Sequence, residues 1–156
     1  MAFLQKFRLL PPTDRTLLVQ AVLLLAVTRV ALACLPFRFV RRLFSPPVPP
    51  SGPPAHASSR AVDRIGWAVH AAGRRMLKTK PCLAQALVAH RFLIRSGHAS
   101  ELKIGVTRDD MGNLAAHAWV ECRKNVIIGN LPDLARYRPL GTAPAHSLCE
   151  DLHVQN

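Results

Sequence analysis

Residues 82–129 read CLAQALVAHRFLIRSGHASELKIGVTRDDMGNLAAHAWVECRKNVIIG, and the hydrophobic period changes within them. From Cys82 to Arg95 the spacing is helical. Leu83, Leu87 and Ile94 fall on one face, joined by Ala86 and His90. Arg91 and Arg95 occupy the last turns, where the helix dipole favours cations, and Gly97 is a natural terminator. Beyond it the period becomes two. Leu102, Ile104 and Val106 alternate in ELKIGVTR, residues 109–113 are turn-like, AAHAWVE reads as a second strand and NVIIG as a third. A helix followed by a small antiparallel sheet gives an α+β fold.

Two residues in this stretch can carry chemistry. Cys82 falls in the first turn of its helix. Unpaired backbone N–H groups and the positive dipole end favour a thiolate at such a place. His117 shares one face of its strand with Trp119 and Glu121, while Ala116, Ala118 and Val120 share the other. An imidazole on a rigid strand can take a thiol proton and return it to a leaving amine. Two plainer readings stand beside this one: a buried inert thiol, and a cross-strand His–Trp pairing.

Working outward, Ser58 or Ser59 caps a further helix with Val62, Ile65, Val69, Ala72 and Met76 at steps of three and four. Trp67 lies off that seam and is expected to pack partly into the core. Residues 45–57, SPPVPPSGPPAHA, hold six prolines and a glycine, which excludes a helix and gives a semi-rigid linker. Before it, residues 14–36 form an apolar helix with Thr13 or Asp14 as cap and Pro36 as stop. Its uninterrupted apolar run, Ala21 to Val27, is short for a membrane span, and Arg29 places a charge in the later half. The expectation is a helix packed on the body or on a partner. Peripheral membrane contact through residues 14–42 is the alternative, with Arg38, Arg41 and Arg42 meeting anionic headgroups. The chain therefore divides into an N-terminal helical extension (1–44), a linker (45–57) and a core (58–156).

The 156 residues carry 21 Lys and Arg against 9 Asp and Glu, a formal charge of +12 that favours anionic partners. The basic residues are scattered, and no helix-turn-helix or zinc-finger spacing accompanies them, so nucleic acid is not expected. Cysteines at 34, 82, 122 and 149 form no CxxC pair, which leaves metal and dithiol chemistry without support. With no clean cleavable signal, they are expected to be reduced, in a cytoplasmic protein.

The order of helix-initial Cys, sheet and strand His resembles the transglutaminase-like cysteine hydrolases. More narrowly, CLAQALVAHRFLIRSGHASELKIGV, AHAWVE, VIIG and RYRPL, within residues 61–140, resemble the leader peptidases of lasso peptide biosynthesis, the protease half of the B protein. LLPPTDRTLLVQAVLLLAVTRVALACLPFR is similar to the apolar N-terminus of their stand-alone form. The resemblance implies a papain-like fold and removal of a leader from a ribosomally made precursor, with Cys82 as nucleophile and His117 as base, then acid. It implies two partners, a separate leader-recognition protein and an asparagine-synthetase-like cyclase. No cofactor is expected, since the chain has no Gly-rich phosphate loop.

The family places an Asp after the histidine to orient the ring. Here Asn130 stands at the expected distance, with Asp133 as the alternative, and either can be a turn residue of Asn-Leu-Pro-Asp. The backbone N–H of Cys82 is the expected oxyanion donor, with Gln85 a side-chain candidate. Cys122 is expected to be structural, Cys34 buried, and His90 packed. His70, His98, His146 and His153 are expected at the surface.

Overall fold

The computed structural model describes residues 10–44, 59–76 and 82–140. Helices α1 (Pro12–Cys34), α2 (Phe37–Phe44), α3 (Ser59–Met76) and α4 (Cys82–Arg95) precede the strands β1 (Ser100–Arg108), β2 (Leu114–Cys122) and β3 (Asn125–Ile128). A 3₁₀ turn (Leu134–Arg136) and the short β4 (Arg138–Pro139) come last. The α+β architecture expected from the sequence is the one observed. The proline-rich segment, Cys149, His146 and His153 lie outside the described residues.

α1 starts at Pro12, where a missing N–H costs no intrahelical bond. It ends at Cys34, ahead of Leu35–Pro36. Its inward side places Leu18, Ala21 and Leu25 in the same core as Val62, Val69, Leu87 and Val120. An ion pair between Asp14 and Arg64 ties its first turn to α3. Thr28, fully buried, donates to the Leu24 carbonyl at 2.6 Å, so its hydroxyl is satisfied within the helix.

α2 was not anticipated. Eight residues are too few for a marginal helix to stand alone. It is held by Val40 and Phe44, one turn apart and both buried, and by Arg91, which donates to the Leu43 carbonyl at 2.7 Å.

The sheet is antiparallel, in the order β3-β2-β1-β4. Leu102, Ile104, Ala118, Val120 and Ile128 turn toward the helices and join the core. α4 is followed by a turn through Gly97, whose φ is +75°, and the His98 amide donates back to the Leu93 carbonyl at 2.9 Å. That turn folds His98 inward. It is buried, and its Nε2 has no hydrogen-bond partner among the described residues, which corrects the surface expectation. His90 is buried as expected and is hydrogen bonded with Ser100 Oγ at 2.9 Å.

Two further expectations are corrected. Cys34 is exposed, because it continues the outward stripe of α1. An almost uniformly apolar helix does not announce which side faces in. Trp67 is 44% exposed, since its position on α3 points away from both α1 and the sheet-facing seam. β4 was also unforeseen. It is an edge strand of two residues, where Pro139 costs no ladder bond.

Candidate active site

Cys82 is the first residue of α4 and is half-buried. His117 lies in β2 opposite Gly105 of β1. Chain geometry puts both toward the same end of the α4–sheet layer, with His117 on the sheet face turned away from α4. The His90–Ser100 hydrogen bond is a common origin. From it Cys82 is eight residues up the helix, about 12 Å at the α-helical rise. Gly105 is five residues along β1, about 17 Å at the strand rise. β1 returns alongside α4 after the Gly97 turn, so the two distances run the same way.

The His117 ring is held firmly. Its Nε2 donates to the Gly129 carbonyl at 2.7 Å. A carbonyl only accepts, so this bond puts a proton on Nε2 and, in the neutral ring, leaves the lone pair on Nδ1. Trp119 stacks alongside at 6.3 Å between centroids and 13° between planes, and Tyr137 closes a third side at 5.5 Å.

Gly129 owes its place to its missing side chain. Its φ is +82°, and a Cβ there would lie 2.6 Å from the Ala118 carbonyl oxygen and 2.8 Å from Trp119 Cβ. Gly105 serves similarly across the sheet: a Cβ there would stand 2.9 Å from two atoms of the Trp119 ring. Trp119 is fixed at its other end, because its Nε1 donates to Glu121 Oε1 at 2.8 Å while Lys103 donates to Glu121 Oε2 at 2.6 Å. Burial pushes the Glu121 carboxyl up, but the hydrogen bonds from Lys103 and Trp119 and the Lys103 charge outweigh it and hold the group below its usual value. The hydrogen bond to Glu121 in turn raises Lys103.

Among the described residues no hydrogen bond links Cys82 Sγ to His117. The ring belongs to the face of β2 shared with Trp119 and Glu121, while Ala118 and Val120 turn toward the helices. Neither Asn130 nor Asp133 is bonded to the ring; both are exposed. The orienting acceptor seen here is the Gly129 backbone, one residue before Asn130. Sequence reasoning missed it because a backbone carbonyl carries no residue signature. Gln85 lies against Gly73, where it fills the space a side chain would take. Cys122 is buried, and its burial pushes the thiol up, as suits a packing residue. An open hollow of about 390 Å³ lies between Ser100, Lys103, Glu121 and Lys124, toward the far ends of β1 and β2 from His117.

The helix-on-sheet order agrees with the family comparison. The transglutaminase-like superfamily profile matches residues 22–142, well over half of the chain. The chain belongs to the transglutaminase-like superfamily. The match begins inside α1 and ends just past β4. Neither the comparison with curated proteins nor that with solved structures found a match.

Proposed function

We propose that this chain is a cysteine peptidase that removes the leader from a ribosomally made lasso peptide precursor. The observation that carries the chemistry is the His117–Gly129 hydrogen bond, which fixes the tautomer a general base needs. The narrower substrate rests on the resemblance of residues 61–140 to the lasso leader peptidases.

In this reading His117 Nδ1 takes the Cys82 thiol proton. The thiolate adds to the carbonyl joining leader to core. The imidazolium protonates the leaving core amine, and the carbon–nitrogen bond breaks to leave a thioester on the leader. Water, deprotonated by Nδ1, displaces Cys82 and releases the leader acid. In this reading the His117 ring leaves the face of β2 turned away from the helices and comes within hydrogen-bond reach of Cys82 Sγ only in the substrate complex. The separate leader-recognition protein would deliver the precursor, and the ATP-consuming cyclase would close the freed core, all in the cytoplasm.

A specific observation favours a second reading. Among the described residues Cys82 and His117 are not hydrogen bonded and no carboxylate is bonded to the ring, which suits an inactive scaffold that binds peptide. A thiol-directed electrophile separates the two. A peptidase labels at Cys82 faster than its His117→Ala variant, and Cys82→Ala abolishes precursor cleavage while the protein stays folded. Equal labelling rates together with no cleavage would establish the scaffold. Release of an amide to an added amine, in place of the free leader acid, would identify acyl transfer.

A further inference from the structure

α1 has a second face that the core does not use. Val19, Leu23, Val27 and Val30 are 46%, 61%, 57% and 63% exposed, and Cys34 continues the series. Their steps of four, four, three and four residues draw one stripe along the helix, roughly 22 Å long at the α-helical rise. Across the Leu35–Pro36 link, α2 exposes Phe39 and Leu43 beside Arg38 and Arg42. The Arg38 guanidinium lies 5.0 Å over the Phe39 ring.

The charge of this region has one sign. Residues 15–62 contain six arginines and no Asp or Glu, and Arg29, Arg38, Arg41 and Arg42 are exposed. An aliphatic stripe on α1 followed by exposed arginines beside Phe39 and Leu43 on α2, with no carboxylate among them, matches the two layers of an anionic bilayer surface: acyl chains below and phosphates above.

We propose that the outer face of α1 and α2 docks on an anionic lipid bilayer, with α1 lying along the surface. By length and composition α1 is also long and apolar enough to cross a membrane. Crossing would strip Leu18, Ala21, Leu25 and Thr28 from the core they fill. Lying flat uses the exposed stripe and leaves that packing intact. A protein partner fits less well, because the exposed arginines of this face have no carboxylate beside them to form a paired polar rim.

The test is co-flotation of the full-length chain with vesicles of phosphatidylglycerol and phosphatidylcholine, against phosphatidylcholine alone. The expected result is roughly tenfold more protein floating with the anionic vesicles, a preference that weakens as salt is raised. Leu23→Glu combined with Val27→Glu should abolish flotation while the circular dichroism spectrum and melting temperature are kept, since both positions are exposed. Arg38→Gln combined with Arg42→Gln should reduce the anionic preference. Cys82→Ala should float like the wild type, so loss of the peptidase reading and loss of this one are told apart. No flotation with anionic vesicles overturns the proposal. So does equal flotation of the stripe variant, or a change of oligomeric mass in that variant without any wild-type flotation, which would make the face a protein interface.

Discussion

At His117 one hydrogen bond decides how the ring can act. With Nε2 committed to the Gly129 carbonyl, Nδ1 is the nitrogen that the proposed mechanism uses as base. Gly129→Ala tests that arrangement. The added Cβ meets the Ala118 carbonyl in a left-handed backbone, so the segment must shift and carry the carbonyl with it. The expected cost is about 1–3 kcal/mol of stability, together with a loss of precursor cleavage that persists at temperatures where the variant is fully folded. Unchanged cleavage by the folded variant would remove the carbonyl from the mechanism. Asn130 and Asp133 supply the companion experiment. With the backbone as acceptor, Asn130→Ala and Asp133→Ala each leave cleavage within about threefold of wild type, a difference under about 1 kcal/mol. A large loss in Asn130→Ala alone would restore the side-chain orientation expected from the sequence.

Among the elements, the β2–β3 hairpin is the most strained. Arg123 and Lys124 form its tip at φ 52° and 67°, a left-handed pair that ordinarily calls for Asn-Gly. Lys124→Gly relieves one such residue and should stabilise the protein by roughly 0.5–1 kcal/mol, less than the full left-handed penalty because glycine also loses more entropy on folding. A lower melting temperature in that variant would show that the lysine side chain holds the turn in some other way. Helix α1 is the opposite case. Leu25 is 1% exposed, at the centre of its inward face. Leu25→Ala should cost about 2–5 kcal/mol in denaturant unfolding, whereas Leu23→Ala, two residues away on the outer stripe, should cost little. Similar losses at both positions would mean that the outer stripe is covered in solution.

For the molecule as a whole, pH is a sensitive probe, because His90 and His98 are both buried. Burial, and then the Arg41 charge, lowers the proton affinity of His90; burial, and then Arg123, lowers that of His98. The unfolded chain therefore binds more protons than the folded one just below the ordinary value of 6.5. The stability these groups contribute is fully present above that pH and is lost as the pH falls through their lowered values. Melting temperature should fall between about pH 7 and pH 5, and His98→Gln should flatten the decline. A melting temperature independent of pH over that interval would contradict the burial of both rings. Removal of residues 1–45 should likewise act on the whole fold, since it takes Leu18, Ala21 and Leu25 out of the shared core. The expected outcome is a large drop in melting temperature, with any remaining folded fraction still labelling at Cys82.

How much was legible in the sequence depends on the range of the interactions involved. The periods of three to four and of two, the turn residues and the helix terminator are local signals. They placed α1, α3, α4 and the first three strands to within a few residues, and the face shared by His117 and Trp119 came from strand alternation alone. α2 and β4 escaped because each is held by distant groups: Arg91 and the core for one, the edge of β1 for the other. The same limit explains Cys34 and His98. A uniformly apolar helix carries no marker of its inner side, and a single histidine after a turn is buried only by what folds over it. The orienting carbonyl belongs to this second group. Which backbone oxygen meets the His117 ring depends on how β3 leads into Gly129 beside β2, and that path exists only once the sheet is assembled.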